Sequence, residues 1–287
     1  MVGLAAKRTA AEYLERTFAV SERRACQVIS LSRSSKRRCP GAQKEAELVK
    51  RICELSEKYP RFGYRKIHWR LKDEGVRVGR ERVRLIRRRE GLGVIRKQRR
   101  RRALGTSTGV VTKAEYPGHV WNYDFVSDQT TDGRTLKFLT VTDEFTRRGQ
   151  RIHCGRSVTS GDVIRILDDL FLLNGAPAYI RSDNGPEFIT KALQKWLAER
   201  KTGTIYIDPG CPWQNPYNES FNGVFRDGCL NRWLFASIRE AQQLTDDWLY
   251  EYNHERPHGS LRGLTPAKFE QLHWQNSRSV IKKECPV

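Results

Sequence analysis

Three carboxylates stand where the sequence could do chemistry. Asp124 interrupts the apolar and aromatic run His119-Val-Trp-Asn-Tyr-Asp124-Phe-Val126, Asp183 closes the run Ala178-Tyr-Ile-Arg-Ser-Asp183, and Glu219 follows Pro216-Tyr-Asn. An anionic side chain between Tyr123 and Phe125 costs free energy unless it is paired or bound to a metal ion. Taken singly, the other two have plainer uses. Asp183 could start the turn at Asn184-Gly185-Pro186, and Glu219 could be a first-turn acid favoured by a helix dipole. Other chemistry is poorly served. No Gly-x-x-x-x-Gly-Lys phosphate loop occurs, and the seven cysteines (26, 39, 53, 154, 211, 229 and 285) form no Cys-x-x-Cys pair, so neither a zinc site nor a disulfide framework is expected. Pro257 between His254 and His258 prevents a helical metal pair, leaving packing or hydrogen bonding for both, and His68 reads as a half-buried core residue.

The elements that must position these acids read as a mixed sheet. Residues 119–126 make strand one and 136–142 strand two, joined across Asp132-Gly133 as an antiparallel hairpin, with strand three at 148–157. A helix over 160–173, the strand ending at Asp183, a helix over 190–200, a short strand at 204–207 and a helix opened by Pro216 follow. Phe221, Val224 and Phe225 lie at helical spacing beyond Glu219, which falls in the first turn. An acid on a strand end and another on a helix meet only if the chain between them folds back, which makes the unit a compact α/β arrangement with helices packed on a sheet. Asp124 falls on the first strand, expected to be central. Asp143-Glu144 follows strand two and could reach the acids, whereas Asp168-Asp169 and Asp246-Asp247 read as solvated helix faces. Ser237-Ile-Arg-Glu240 is a capping box for a helix with Ala241, Leu244, Trp248, Leu249 and Tyr252 on one face, and the final dozen residues are expected to fray.

The 287 residues allow one large or two to three small domains, with 38% hydrophobic residues to build cores. No run approaches a membrane span and the N-terminus lacks a signal-peptide apolar region, so a soluble, cytoplasmic (nucleoid-associated) protein without a membrane partner is expected. The net charge of +20 is segregated: residues 1–113 hold 32 Lys and Arg against 11 Asp and Glu, and residues 114–287 hold 21 against 22. A block of that kind reads as a polyanion-binding segment. Within it, Ser21 caps a helix with Ala25, Cys26, Val28 and Ile29 on one side, Ser32 caps a second, and residues 1–40 suit a helix-turn-helix or a plain helical hairpin. Residues 41–95 read as three helices, the third carrying Arg82, Arg84, Arg87, Arg88 and Arg89, in the groove-reading position of a trihelical unit. Arg99, Arg100, Arg101 and Arg102 lie in a basic linker, 96–113, and can neutralise phosphates without reading bases.

Together the acidic motifs carry a resemblance. Trp121-Asn-Tyr-Asp124-Phe, Ser182-Asp183-Asn-Gly-Pro-Glu-Phe and Asn218-Glu219-Ser-Phe-Asn-Gly, with 35 residues between Asp183 and Glu219, resemble the acid signature of retroviral-integrase-like transposases. Tyr59-Pro-Arg-Phe-Gly-Tyr-Arg-Lys-Ile, Arg226 seven residues after Glu219, and Tyr252-Asn-His-Glu-Arg-Pro-His-Gly-Ser-Leu with Leu264-Thr-Pro-Ala are similar to the second-frame (OrfB) product of the bacterial IS-three insertion-sequence family. The resemblance covers about residues 20–272. It implies a ribonuclease-H-like catalytic core over 114–230, preceded by all-α helix-turn-helix-like DNA-binding modules and followed by a helical extension over 231–287. It also implies two Mg²⁺ (or Mn²⁺) ions held by Asp124, Asp183 and Glu219, hard oxygen ligands suited to a two-metal in-line displacement. Asp124 takes the bridging role. The implied activity is nicking of insertion-sequence ends followed by 3′-hydroxyl strand transfer into another DNA, without ATP or a covalent protein intermediate. Arg226, Asn184 and Asn222 are the implied DNA contacts near the metals. Implied partners are double-stranded DNA, at the element ends and the target, further copies of the chain assembled on it, and an upstream-frame (OrfA) partner or fusion. The alternative is a catalytically silent DNA-binding regulator of transposition.

Overall fold

Short helices with serine caps open the chain. In the computed structural model, which describes residues 4–37, 42–94, 113–183, 185, 187–188, 190–207 and 216–284, these are α1 (Leu4–Phe18), α2 (Glu22–Val28) and α3 (Arg33–Arg37). The Ser21 hydroxyl accepts from the Arg24 N–H at 3.4 Å and the Ser32 hydroxyl from the Ser35 N–H at 3.1 Å, satisfying amides that the first helical turn leaves unpaired. Ala25 and Cys26 are buried as their spacing requires, but Val28, expected on the same stripe, is 66% exposed. The next helices are α4 (Ala42–Lys58), α5 (Tyr64–Asp73) and α6 (Arg80–Arg89). The chain divides into two units, Met1–Ile67 with Gly79–Val94 and His68–Val78 with Ile95–Val287, so the boundary falls inside α5. In the first unit Ile52, Leu55, Tyr59, Phe62, Ile67, Val83 and Ile86 are buried, and the rings of Tyr59 and Phe62 stack at 4.6 Å.

The second unit is built on a five-stranded sheet of β1 (Val120–Gln129), β2 (Thr135–Asp143), β3 (Gly149–Gly155), β4 (Tyr179–Ser182) and β5 (Gly203–Tyr206) in the order β3-β2-β1-β4-β5. β1–β2 and β2–β3 pair antiparallel, while β1–β4 and β4–β5 pair parallel. This is the mixed sheet of the ribonuclease-H-like fold. The hairpin between β1 and β2 turns at Gly133, whose φ of 79° is open to glycine at no steric cost. β1 is central, as expected, and buries both faces by alternation.

Trp121 and Tyr123 enter one apolar layer with α7 (Ser160–Asn174) and α8 (Lys191–Glu199), including Leu167, Phe171, Leu193 and Leu197. On the opposite face Val126 and Phe138 meet α9 (Pro216–Phe225), a π-helical turn (Arg226–Leu230) and α10 (Ile238–His254) through Phe221, Phe225, Leu230, Trp248 and Tyr252. The α10 cap differs in one detail from a capping box. Ser237 accepts from the Glu240 N–H at 3.1 Å, but the Glu240 carboxylate accepts from Ala236 rather than Ser237. At the C-terminus α11 runs Pro266–Glu284, into the last dozen residues where fraying is expected; residues 285–287 lie outside the described residues. Its first turns are anchored, because Phe269 packs on Phe145 with ring centroids 5.6 Å apart and Glu270 is ion-paired with Arg148. Among the described residues no helix is long and apolar enough to cross a membrane.

Candidate active site

Strand alternation turns Asn122, Asp124 and Val126 toward α9 and away from the layer of Trp121 and Tyr123. Asp124 stands opposite Thr140 of β2. Its Oδ1 accepts from the Phe125 N–H at 2.7 Å and its Oδ2 from Asn222 Nδ2 at 2.8 Å. Asn222 Oδ1 in turn accepts from Thr140 Oγ1 at 3.0 Å, so α9 is bolted to β1 and β2 through one amide. Burial pushes the Asp124 carboxyl up to about 6; the Phe125 N–H and Asn222 oppose the rise, and the charge of Asp183 adds to it.

Asp183 follows β4 directly. Asn122 of β1 is in register with Arg181 of β4, and the strands are parallel, so two residues further along each reach Asp124 and Asp183 at one end of the sheet. Asp183 Oδ1 accepts from the Gly185 N–H at 3.1 Å, and a Cβ on Gly185 would lie 3.3 Å from the Phe188 ring, which leaves a side chain little room in this turn. The turn is tied down beyond it. Phe188 is buried and stacks on Phe125 at 4.8 Å, and Glu187 is ion-paired with Lys137, whose ammonium lies 3.9 Å from the centre of the Phe125 ring.

Glu219 lies in the exposed first turn of α9, three residues before Asn222 and so on the same side of the helix. Among the described residues no three His, Cys, Asp or Glu side chains are gathered closely enough to hold a metal ion. Within this arrangement the charge of Asp183 acts on Asp124. The two aspartates fit a hard divalent cation by donor chemistry, since each offers a carboxylate and the charge of one raises the pKa of the other.

Of the expected DNA contacts, two are committed elsewhere in this structure. Arg87 is buried, donating from Nη1 to the Phe62 carbonyl at 2.6 Å and from Nη2 to the Leu92 carbonyl at 2.6 Å, which corrects its assignment to phosphate. Helical periodicity is the cause: Val83, Ile86 and Arg87 share the inward face of α6, and a guanidinium tolerates burial there because backbone carbonyls satisfy it. Asn222 spends both ends of its amide on Asp124 and Thr140. Arg226 is exposed at the junction of α9 with the π-helical turn and donates from Nη2 to the Ser127 carbonyl at 2.9 Å. Arg88 is exposed; Arg84 is ion-paired with Glu81, and Arg82 reaches Glu45 at 3.4 Å. Asn184, Arg99, Arg100, Arg101 and Arg102 lie outside the described residues.

Asp143 and Glu144 do not join the acids. Asp143 holds its turn, accepting from the Thr146 N–H at 2.7 Å and the Gly118 N–H at 2.7 Å. Glu144 is buried against Arg181 at 3.2 Å. The signal that could have found this pair was the arginine inside the apolar strand before Asp183, which needs a buried counter-charge.

Two integrase core domain families match residues 114–212 and 200–266, and an HTH-like domain matches residues 41–102. The insertion element IS407 uncharacterized 31.7 kDa protein of Burkholderia multivorans is 37% identical over 88% of this chain and 92% of its own length. The chain belongs to the IS-three family of insertion-sequence transposases. It is an OrfB-type member, within the integrase-like superfamily of polynucleotidyl-transferase-like enzymes. The IS476 39.2 kDa protein of Xanthomonas euvesicatoria is also 37% identical, over 87% of this chain and 72% of that one. A putative transposase for element IS150 of Escherichia coli is 25% identical over 79% and 83%. Among solved structures, the HTLV-2 integrase catalytic core in complex with magnesium matches with a TM-score of 0.45 at 19% identity, over 54% of this chain and 97% of that one.

Proposed function

We propose that this family member cuts phosphodiester bonds at the ends of its insertion sequence and joins the liberated 3′-hydroxyl to target DNA. The observation that carries this is that Asp124, in the middle of β1, feels the charge of Asp183, just past β4, with Glu219 one turn before Asn222, the residue that holds Asp124. Like charges brought together in a partly buried place are stabilised by a cation, and oxygen donors select Mg²⁺ or Mn²⁺. Asp124, Asp183 and Glu219 would hold the ions, with Asp124 in the shared role. Two divalent ions there would supply activation of an attacking oxygen and stabilisation of a leaving one. Asn222 holds one oxygen of Asp124 and so fixes the orientation of that carboxylate. Arg226, anchored on the Ser127 carbonyl, offers its remaining N–H groups to a phosphate, and the exposed arginines of α6 with the linker Arg99–Arg102 hold double-stranded DNA through its backbone. The modules 1–40 and 41–95 bind the element ends, 114–230 performs the reaction, and copies of the chain assemble on DNA with an upstream-frame partner.

A second reading, a DNA-binding regulator that does not cut, is favoured by one observation: among the described residues no three acids are gathered closely enough to hold a metal ion. One experiment separates the two. Nicking and strand joining are followed on labelled DNA carrying the element's ends, with Mg²⁺ and with the upstream-frame product supplied, for wild type and Glu219→Gln. Wild-type activity lost in the variant, with DNA binding retained, supports the transposase; DNA binding by wild type without nicking or joining supports the regulator.

A further inference from the structure

Beside the three acids, one rung back along the same elements, lies a second polar cluster. Asn122, Arg181 and Asn218 are wholly or almost wholly buried, as is Glu144. Each of the first three precedes a site carboxylate on its own element: Asn122 two residues before Asp124, Arg181 two before Asp183, and Asn218 one before Glu219. Asn122 and Arg181 are paired across β1 and β4, and Arg181 Nη1 is 3.2 Å from Glu144 Oε1. Glu144 in turn is held to β1 by its own N–H, which donates to the Val120 carbonyl at 3.0 Å.

The place of Asn218 follows from the rungs that α9 makes on the sheet. Phe225 packs on Phe138, ring centroids 5.5 Å apart, and Asn222 reaches Asp124 and Thr140, the next rung back. Four helical residues advance roughly 6 Å and two strand residues roughly 6.6 Å, so the two elements stay in step. Asn218, four before Asn222 on the same buried face, therefore falls on the rung of Asn122 and Thr142, beside the Glu144–Arg181 pair. Neither Asn122 nor Asn218 completes a side-chain hydrogen bond of normal geometry within the protein, and neither do the Glu144 oxygens, although Asn122 lies close enough to Glu144 to favour its charged form. Polar atoms so enclosed are the kind that ordered water bridges.

We infer that Asn122, Glu144, Arg181 and Asn218 form a buried positioning cluster that locks the first turn of α9 against β1 and β4 and thereby sets where Glu219 stands relative to Asp124 and Asp183, an assignment that rests on the metal-carboxylate reading above. These four are positioning residues, acting through the backbones that carry the acids. An apolar core at this rung would pack α9 equally well but would let it slide or rotate, because apolar contact is non-directional whereas amides and an ion pair accept few arrangements.

The test uses the full chain with Asn218→Leu and, as a shape-preserving change, Glu144→Gln. Three quantities are read without DNA: thermal melting, hydrogen exchange in a peptide covering residues 216–225, and Mn²⁺ affinity by electron paramagnetic resonance. Asn218→Leu removes an unsatisfied amide, so it melts within about 2 °C of wild type or above it. Exchange in the first turns of α9 nonetheless speeds up at least about fivefold, and Mn²⁺ binds at least about fivefold more weakly, differences far outside a mere loss of packing. Exchange and Mn²⁺ affinity both within twofold of wild type overturn the positioning role, as does a lower melting temperature with unchanged Mn²⁺ affinity. If Asn218→Leu does not fold, Glu144→Gln is judged by the same exchange and affinity criteria. A wild type that binds no Mn²⁺ defeats the metal reading instead, and the exchange rates alone then decide whether the cluster locks α9.

Discussion

Two carboxylates in the second unit, Asp124 and Glu144, are both pushed up by burial, to about 6 and about 7, yet their neighbours have opposite charge. Glu144 faces the guanidinium of Arg181, its counter-charge, and no solvent reaches either side chain to any extent. Asp124 instead feels the charge of Asp183, a second acid. Burial alone therefore does not separate a structural acid from a functional one; the sign of the neighbour does. A buried acid beside a cation is complete as folded, whereas two acids held together are stable only with something positive between them.

The largest effect expected from this contrast is catalytic. Asp124→Asn or Asp183→Asn lowers single-turnover nicking by about 1000-fold, while melting temperature is unchanged or raised because the like-charge repulsion is gone. A clear fall in melting temperature would break the contrast. Glu144→Ala does the reverse. It strands the Arg181 charge in the core and destabilises the unit by about 3–5 kcal/mol in urea unfolding.

The pH dependence sharpens the same point. Both acids are raised in the folded state, so the native protein holds more protons than the unfolded chain in the window between the two values. Stability in the absence of divalent metal accordingly falls as pH rises from about 4 to about 6 through Asp124 and from about 4.5 to about 7 through Glu144, and the contribution is flat above that. Glu144→Gln removes the fall between pH 6 and 7, and Mg²⁺ removes the part due to Asp124, both readable from urea titrations across pH.

A smaller contrast of the same kind lies on α6. Arg87→Ala costs about 2–3 kcal/mol, because the Phe62 and Leu92 carbonyls lose a charged donor, whereas exposed Arg88→Ala changes stability by less than about 0.5 kcal/mol. Arg88→Ala instead weakens DNA binding and reduces its salt slope by about 1 in a titration against ionic strength.

Much of this molecule was legible from residue order. Alternation named the strands, Asp132-Gly133 named the hairpin, Ser caps named helix starts, and the acid in an aromatic strand pointed to Asp124. Each of those signals is local: a strand repeats every two residues, a helix every three to four, and a cap acts over three. What escaped was non-local. Arg82, Arg84, Arg87 and Arg88 are alike as a basic run, and the carbonyl of Phe62, 25 residues away, is what accepts Arg87 in the interior.

The sequence by itself determined the elements, their order, the segregation of charge into the first 113 residues and the three acids, one inside a strand, one at a strand end and one in a first helical turn, since these depend on side-chain type and short spacing. The tertiary structure alone decided that Asn222 is spent on Asp124 across 98 residues of chain, that Arg181 answers Glu144, and that Asp124 feels the charge of Asp183. Those outcomes depend on which rung α9 takes on the sheet, and no pattern within a single element specifies a partner on another.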